Sequence, residues 1–149
     1  MARSASSTPI FSGEFRHSLD EKNRVTIPAR WRGGEQEELF VVKNPQRACL
    51  TVLPREVFQQ VGELARQNVT PAQHRAFMTQ FFSRAKNCPI DKQGRLLLPD
   101  DHCKVAGIRT EVVLTGSSDR FELWTPAAWK AFQAECQQTY EQVAEAIGL

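Results

Sequence analysis

"LDEKNRVTIP", Leu19–Pro28, and "IDKQGRLLLP", Ile90–Pro99, are two versions of one decamer. Each runs apolar residue, Asp, three polar or turn-forming residues, Arg, three residues suited to a strand, and Pro. Asp20 and Asp91 are 71 positions apart, and the same offset relates Arg24 to Arg95 and Pro28 to Pro99. It also carries Val41 and Val42 onto Val112 and Val113, Val52 onto Leu123, and Phe58 onto Trp129. An ungapped register of this length marks a duplicated module of about 45 residues, joined by a connector.

Each copy reads alike. "RVTIP" and "RLLLP" put Val25 and Ile27, or Leu96 and Leu98, on one face of a short strand that Pro ends. "DDHCKVAG" after Pro99 predicts two helical turns stopped by Gly107, and "ARWRGG" after Pro28 a shorter version. "ELFVVK" with "ACLTVLP", and "EVVLTG" with "RFELW", read as β-hairpins. A helix then follows in each copy, with Val57, Val61 and Leu64 on one face of the first. The second spaces Trp129, Phe132, Cys136, Tyr140 and Val143 by threes and fours. Thr70 and Pro71 open a further helix between the copies, whose "AFMTQFFSRA" reads as core or subunit interface.

A module with four short strands can hardly bury a core or cover its own strand edges. The expected class is therefore α+β, with two β-rich half-units forming an internal pseudo-dimer around one core. Val25, Ile27, Val41 and Val52 should lie inside it with Leu96, Leu98, Val112 and Leu123. The expected divisions are a flexible leader over 1–13, a first domain over 14–57, a helical connector over 58–84, a second domain over 85–128 and a C-terminal helix over 129–149.

Composition excludes the extremes. With 41% hydrophobic and 24% charged residues the chain reads as neither disordered nor a membrane protein, and no signal peptide is expected in its polar N-terminus. Cys49, Cys88, Cys103 and Cys136 are widely spaced and read as free thiols of a reducing cytoplasm. The three histidines form no metal-binding or catalytic pattern, and His102, Cys103 and Cys88 lack a fourth ligand. "RGGEQEE" is followed by acid and makes no phosphate loop. No catalytic set, metal or cofactor is expected, and the protein reads as no enzyme.

The net charge is only +2, but its distribution is informative. Arg16, Lys22, Arg24, Arg30 and Arg32 gather around the first decamer, and Arg84, Lys86, Lys92, Arg95 and Lys104 around the second. In each decamer Asp20 or Asp91 suits the start of a turn, accepting backbone N–H groups ahead of it. Asn23 and Gly94 share a place where φ > 0 is tolerated, and Lys22 and Lys92 sit near the tips. Arg24 and Arg95 can then brace the turn against Asp, or present a planar fork to phosphates and base edges. The first copy is expected to dominate, because four cations surround Arg24 while Asp100 and Asp101 follow Pro99.

"GEFRHSLDEKNRVTIPARWR", with "DKQGRLLLP", "AGI" and "VVLTGSSDRFELW", resembles the MraZ family of bacterial transcriptional regulators. The resemblance covers nearly the whole chain after the leader, with Asn23 standing where the family usually has Gly. It implies two tandem SpoVT-AbrB-type (swapped-hairpin) domains and ring-shaped homo-oligomers. It further implies repression through repeated short boxes in the promoter of the division and cell-wall gene cluster. The partner is then double-stranded DNA, with no membrane and no small-molecule substrate, in the cytoplasm on the nucleoid. The family's Asp-x-x-x-Arg element falls on Asp20 and Arg24, and on Asp91 and Arg95. The DNA-contacting candidates are Arg24, Lys22, Arg16, Arg95 and Lys92. A structural ring without specific DNA binding would account for the repeat but not for the clustered Arg and Lys. A small hydrolase would account for neither.

Overall fold

The two decamers meet in the structure, a computed structural model that describes residues 9–33 and 38–149. Strand β2 (Arg24–Thr26) lies antiparallel to strand β6 (Arg95–Leu97), with Val25 opposite Leu96. Ile27 N–H donates to Gly94 O at 2.9 Å, and Leu98 N–H donates to Asn23 O at 2.9 Å. These matched bonds place a pseudo-two-fold axis between Val25 and Leu96. Alternation along each strand turns Val25 and Leu96 inward, both fully buried, and Thr26 and Leu97 outward.

Beneath this ribbon runs a six-stranded antiparallel sheet. Its strands are β1 (Glu14–Ser18), β3 (Glu38–Lys43), β4 (Leu50–Leu53), β5 (Lys86–Pro89), β7 (Glu111–Gly116) and β8 (Phe121–Trp124), in the order β1-β7-β8-β4-β3-β5. The first strand of each copy pairs with the hairpin of the other, β1 with β7 and β5 with β3. β4 against β8 joins the two hairpins at the centre. Neither copy has a complete sheet of its own. All eight residues expected inside, four from each copy, fall in one buried cluster between ribbon and sheet.

The constant offset slips by two in one strand. Val52 faces Val41 in the first hairpin, whereas Leu123, its counterpart 71 positions on, faces Leu114, 73 positions beyond Val41. The longer helix α3 (Asp100–Ala106) replaces the single 3-10 turn Ala29–Trp31, and the tighter β7–β8 turn restores the register. A two-residue slip keeps every side chain on its own face, so the hydrophobic pattern survives it.

Helices cover the other face of the sheet. α1 (Arg55–Asn68) and α2 (Pro71–Arg84) pack Val57, Phe58, Phe81 and Phe82 against Val42 and Leu53. α4 (Pro126–Ala146) packs Trp129 and Phe132 against Val113 and Trp124. A capping box opens α2: Gln73 N–H donates to the Thr70 hydroxyl, and the Gln73 side chain accepts from Thr70 N–H. Gly107, at φ 73°, ends α3 in the left-handed conformation.

Burial is uneven along the helices, and the N-terminal segment takes part in the fold. Leu64 is 54% exposed, because α2 crosses α1 at Gly62, where a Cβ would lie 2.9 Å from Met78 Cε. Tyr140 and Val143 are exposed as well, since the covered part of α4 is its first half. The leader joins the fold before residue 14. Phe11 is buried against Trp31 and Phe121, and its backbone exchanges hydrogen bonds with Ser118. The remainder of the leader, 1–8, and most of the acidic stretch after Gly33, 34–37, lie outside the described residues.

Candidate nucleic-acid interface

Each decamer folds into the same closed turn. Asp20 Oδ1 accepts the backbone N–H groups of Lys22 and Arg24, both at 2.9 Å, and Oδ2 accepts Arg24 Nε at 2.7 Å. Asp91 repeats this with Gln93 N, Arg95 N and Arg95 Nε, all at 2.9 Å. Asn23 at φ 60° and Gly94 at φ 79° supply the left-handed residue that lets the chain reverse. The backbone N–H of Arg24 and then its side chain hold the Asp20 carboxyl below the usual carboxylate range, and Arg95 does the same for Asp91.

Bracing and presenting are compatible. Asp takes only Nε of each guanidinium, and the terminal nitrogens of Arg24 have no hydrogen-bond partner among the described residues. Arg95 Nη1 lies 3.8 Å from Asp20 Oδ2, so one carboxylate links the two turns across the axis. The outward face of the ribbon thus carries Arg24, Thr26, Arg95 and Leu97, with Lys22 and Lys92 exposed at the tips. A two-stranded ribbon bearing two forks and flanking lysines has the shape and charge to enter a major groove.

Arg16 is not brought to this face. It lies opposite Val113 on β1 and shares the sheet face that packs against α4, while its neighbour Phe15 packs on the shared core. The cations expected around Arg24 also disperse. The Arg30 guanidinium lies 5.6 Å from the Phe15 ring centroid. Arg32 crosses to the second copy, where its guanidinium occupies the space a Cβ on Gly94 would need, with Nε donating to Ile27 O at 3.0 Å. In return Asp100 crosses to the first turn, accepting from Asn23 Nδ2 at 3.4 Å. Each of these charges thus lies at the turn of the other copy, not at the turn nearer to it in the chain. The one sequence signal for the crossing is the glycine at 94 where the other copy carries a side chain.

The other candidates fall away on geometry. His102 Nε2 faces Arg84 O at 2.8 Å and Nδ1 faces Asp101 Oδ1 at 3.1 Å, which occupies both ring nitrogens. No cluster able to hold a metal is present among the described residues. Burial pushes the Cys49 and Cys88 thiols up to about 12 and Cys103 to about 11, far from reactive thiolates.

Comparison with known proteins identifies relatives of the whole chain. A protein of Desulforamulus reducens named "Transcriptional regulator MraZ" is 39% identical over 139 residues, which is 93% of this chain and 97% of that one. Proteins of the same name from Natranaerobius thermophilus and Moorella thermoacetica are 38% and 39% identical, over 93% and 91% of this chain and 96% and 95% of their own lengths. A family model described as "MraZ protein, putative antitoxin-like" matches twice, over residues 10–79 and 81–148. The two matches start 71 residues apart, as the decamers do, and together they span nearly the whole chain: it belongs to the MraZ family.

Proposed function

We propose that this protein is a sequence-specific DNA-binding transcriptional regulator. It represses the division and cell-wall gene cluster by occupying repeated promoter boxes as a ring-shaped homo-oligomer in the cytoplasm, on the nucleoid. The observation that carries the reading is the pair of Asp-braced guanidiniums, Arg24 and Arg95, side by side on the open face of the β2–β6 ribbon. Arg24 and Arg95 read base edges, and Lys22 and Lys92 contact phosphates. Arg16, on the opposite face of the sheet, takes no part in this surface. The regulator names of the relatives support the reading. Exposed Tyr140, Val143, Ile147 and Leu149 support self-association through the C-terminal end. Linked copies then gain over single ones, because neighbouring boxes bind at high effective concentration.

A footprint on the DNA upstream of the protein's own gene tests this. Protection should cover repeated boxes, weaken steeply with salt, and vanish for a folded Arg24→Ala protein. Each lost base contact should cost about 1–3 kcal/mol per site. Unchanged protection by Arg24→Ala and Arg95→Ala at the same concentration and salt would refute it.

A further inference from the structure

We infer that Arg32 is a phosphate-contacting residue of the second turn, and that the pseudo-symmetric reader is electrically one-sided, with the Asp91–Arg95 turn as its strong end. This rests on the DNA-binding reading above and deepens it. The two turns share a backbone but not a charge. The first holds two carboxylates, Asp20 and Glu21, and two cations, Lys22 and Arg24. Asp100, which touches it through Asn23, brings it to −1. The second holds Asp91 against Lys92 and Arg95, and the crossing of Arg32 brings it to +2. Lys104 pairs with Asp100 at 3.1 Å and softens the contrast without reversing it.

The asymmetry is built into side chains that have no counterpart. The position matching Arg32 is Cys103, a buried thiol, and the position matching Asp100 is Ala29. Arg32 is exposed, yet its Nε is anchored on Ile27 O. The guanidinium is therefore held over Gly94, in the backbone of the turn that carries Lys92 and Arg95, and directed by a main-chain bond as a pre-organised fork. Glycine at 94 is what allows it to lie so close.

The test is a binding series on the full-length protein, with a duplex covering the region upstream of its own gene and a scrambled duplex of equal length. Arg32→Gln should weaken both duplexes about fivefold per engaged protomer at 0.15 M salt and lower the salt slope by about 0.9. Lys92→Gln should cost more than Lys22→Gln, and Asp100→Asn should tighten binding. These last comparisons hold the inference to account even where Arg32→Gln does not fold. A folded Arg32→Gln protein with unchanged slope overturns the inference, as does a larger loss for Lys22→Gln than for Lys92→Gln. If Arg24→Ala and Arg95→Ala still abolish binding in that case, only the one-sidedness fails. If they too bind like wild type, the DNA-reading surface itself is misplaced.

Discussion

Leu96 sits opposite Val25 at the pseudo-two-fold axis, fully buried, with each side chain supplied by a different copy. Leu96→Ala removes three carbons there, worth about 2.4 kcal/mol at about 0.8 kcal/mol per buried methylene. The cavity left behind raises the cost to about 5 kcal/mol where the surroundings cannot collapse. A chain of this size loses about 2–4 °C of Tm per kcal/mol, so the expected drop is about 5–20 °C. Val25→Ala removes two carbons and should cost about 1.6 kcal/mol before any cavity term. Because the two side chains touch, the double variant should cost less or more than the singles together, not their plain total. Calorimetry and guanidinium titration should show one transition in every variant, since the swapped strands leave neither copy a sheet of its own. A Leu96→Ala loss below about 1 kcal/mol would refute the shared core. So would a second transition in which the first copy outlasts the second.

Other outcomes follow from the same contacts. Asp20→Ala should lower Tm more than Arg24→Ala, because it strands two backbone N–H groups as well as one guanidinium bond. Asp20 is held below its ordinary 3.8, so its contribution is present above that pH and fades as pH falls further; Asp20→Asn should lack that acid limb in a stability titration. Glu122 is the opposite case, pushed above 4.5 by burial, so stability falls as pH rises through that value toward the raised one. Glu122→Gln should flatten that slope and hold neutral-pH stability, whereas Arg47→Ala, which leaves the buried carboxylate without its 3.0 Å partner, should lower it. Thr70→Ala should cost about 1 kcal/mol and speed amide exchange in the first turn of α2. Asn23→Gly should be tolerated, while Gly94→Asn should lower Tm by displacing the Arg32 guanidinium.

The decamers announced the duplication, the inward residues and the closed Asp–Arg turn, because each depends on local chemistry or on a period of two. What stayed hidden depends on the swap. Arg32 follows Arg24 closely in the chain but serves the other turn, and Asp100 does the reverse; only the pairing of β2 with β6 makes them neighbours. The two-residue slip in β7 was invisible for a different reason, since an even shift leaves the apolar alternation intact. Phe11 lay in a polar segment with no periodicity to flag it, and its place is set by Trp31 and Phe121. Arg16 looked like a member of the basic cluster because its distance from Arg24 is short along the chain. Strand β1 turns it to the far face of the sheet.

The exchange of first strands sets a schedule for synthesis. Phe15 pairs with Leu114, 99 residues later, and Arg24 with Leu97, so β1 and β2 have no partner strand while the first copy emerges from the ribosome, and only its β3–β4 hairpin can pair. At about 5–20 residues per second, β1 waits for roughly 5–20 s, and β2 for roughly 4–15 s, with apolar side chains uncovered. During that interval the nascent chain is a client for whatever shields exposed strands. A product released after the connector carries an intact Asp20–Arg24 sequence but nothing to hold it as a ribbon. A truncated message therefore yields no half-sized version of the paired ribbon; it yields a chain for the proteases.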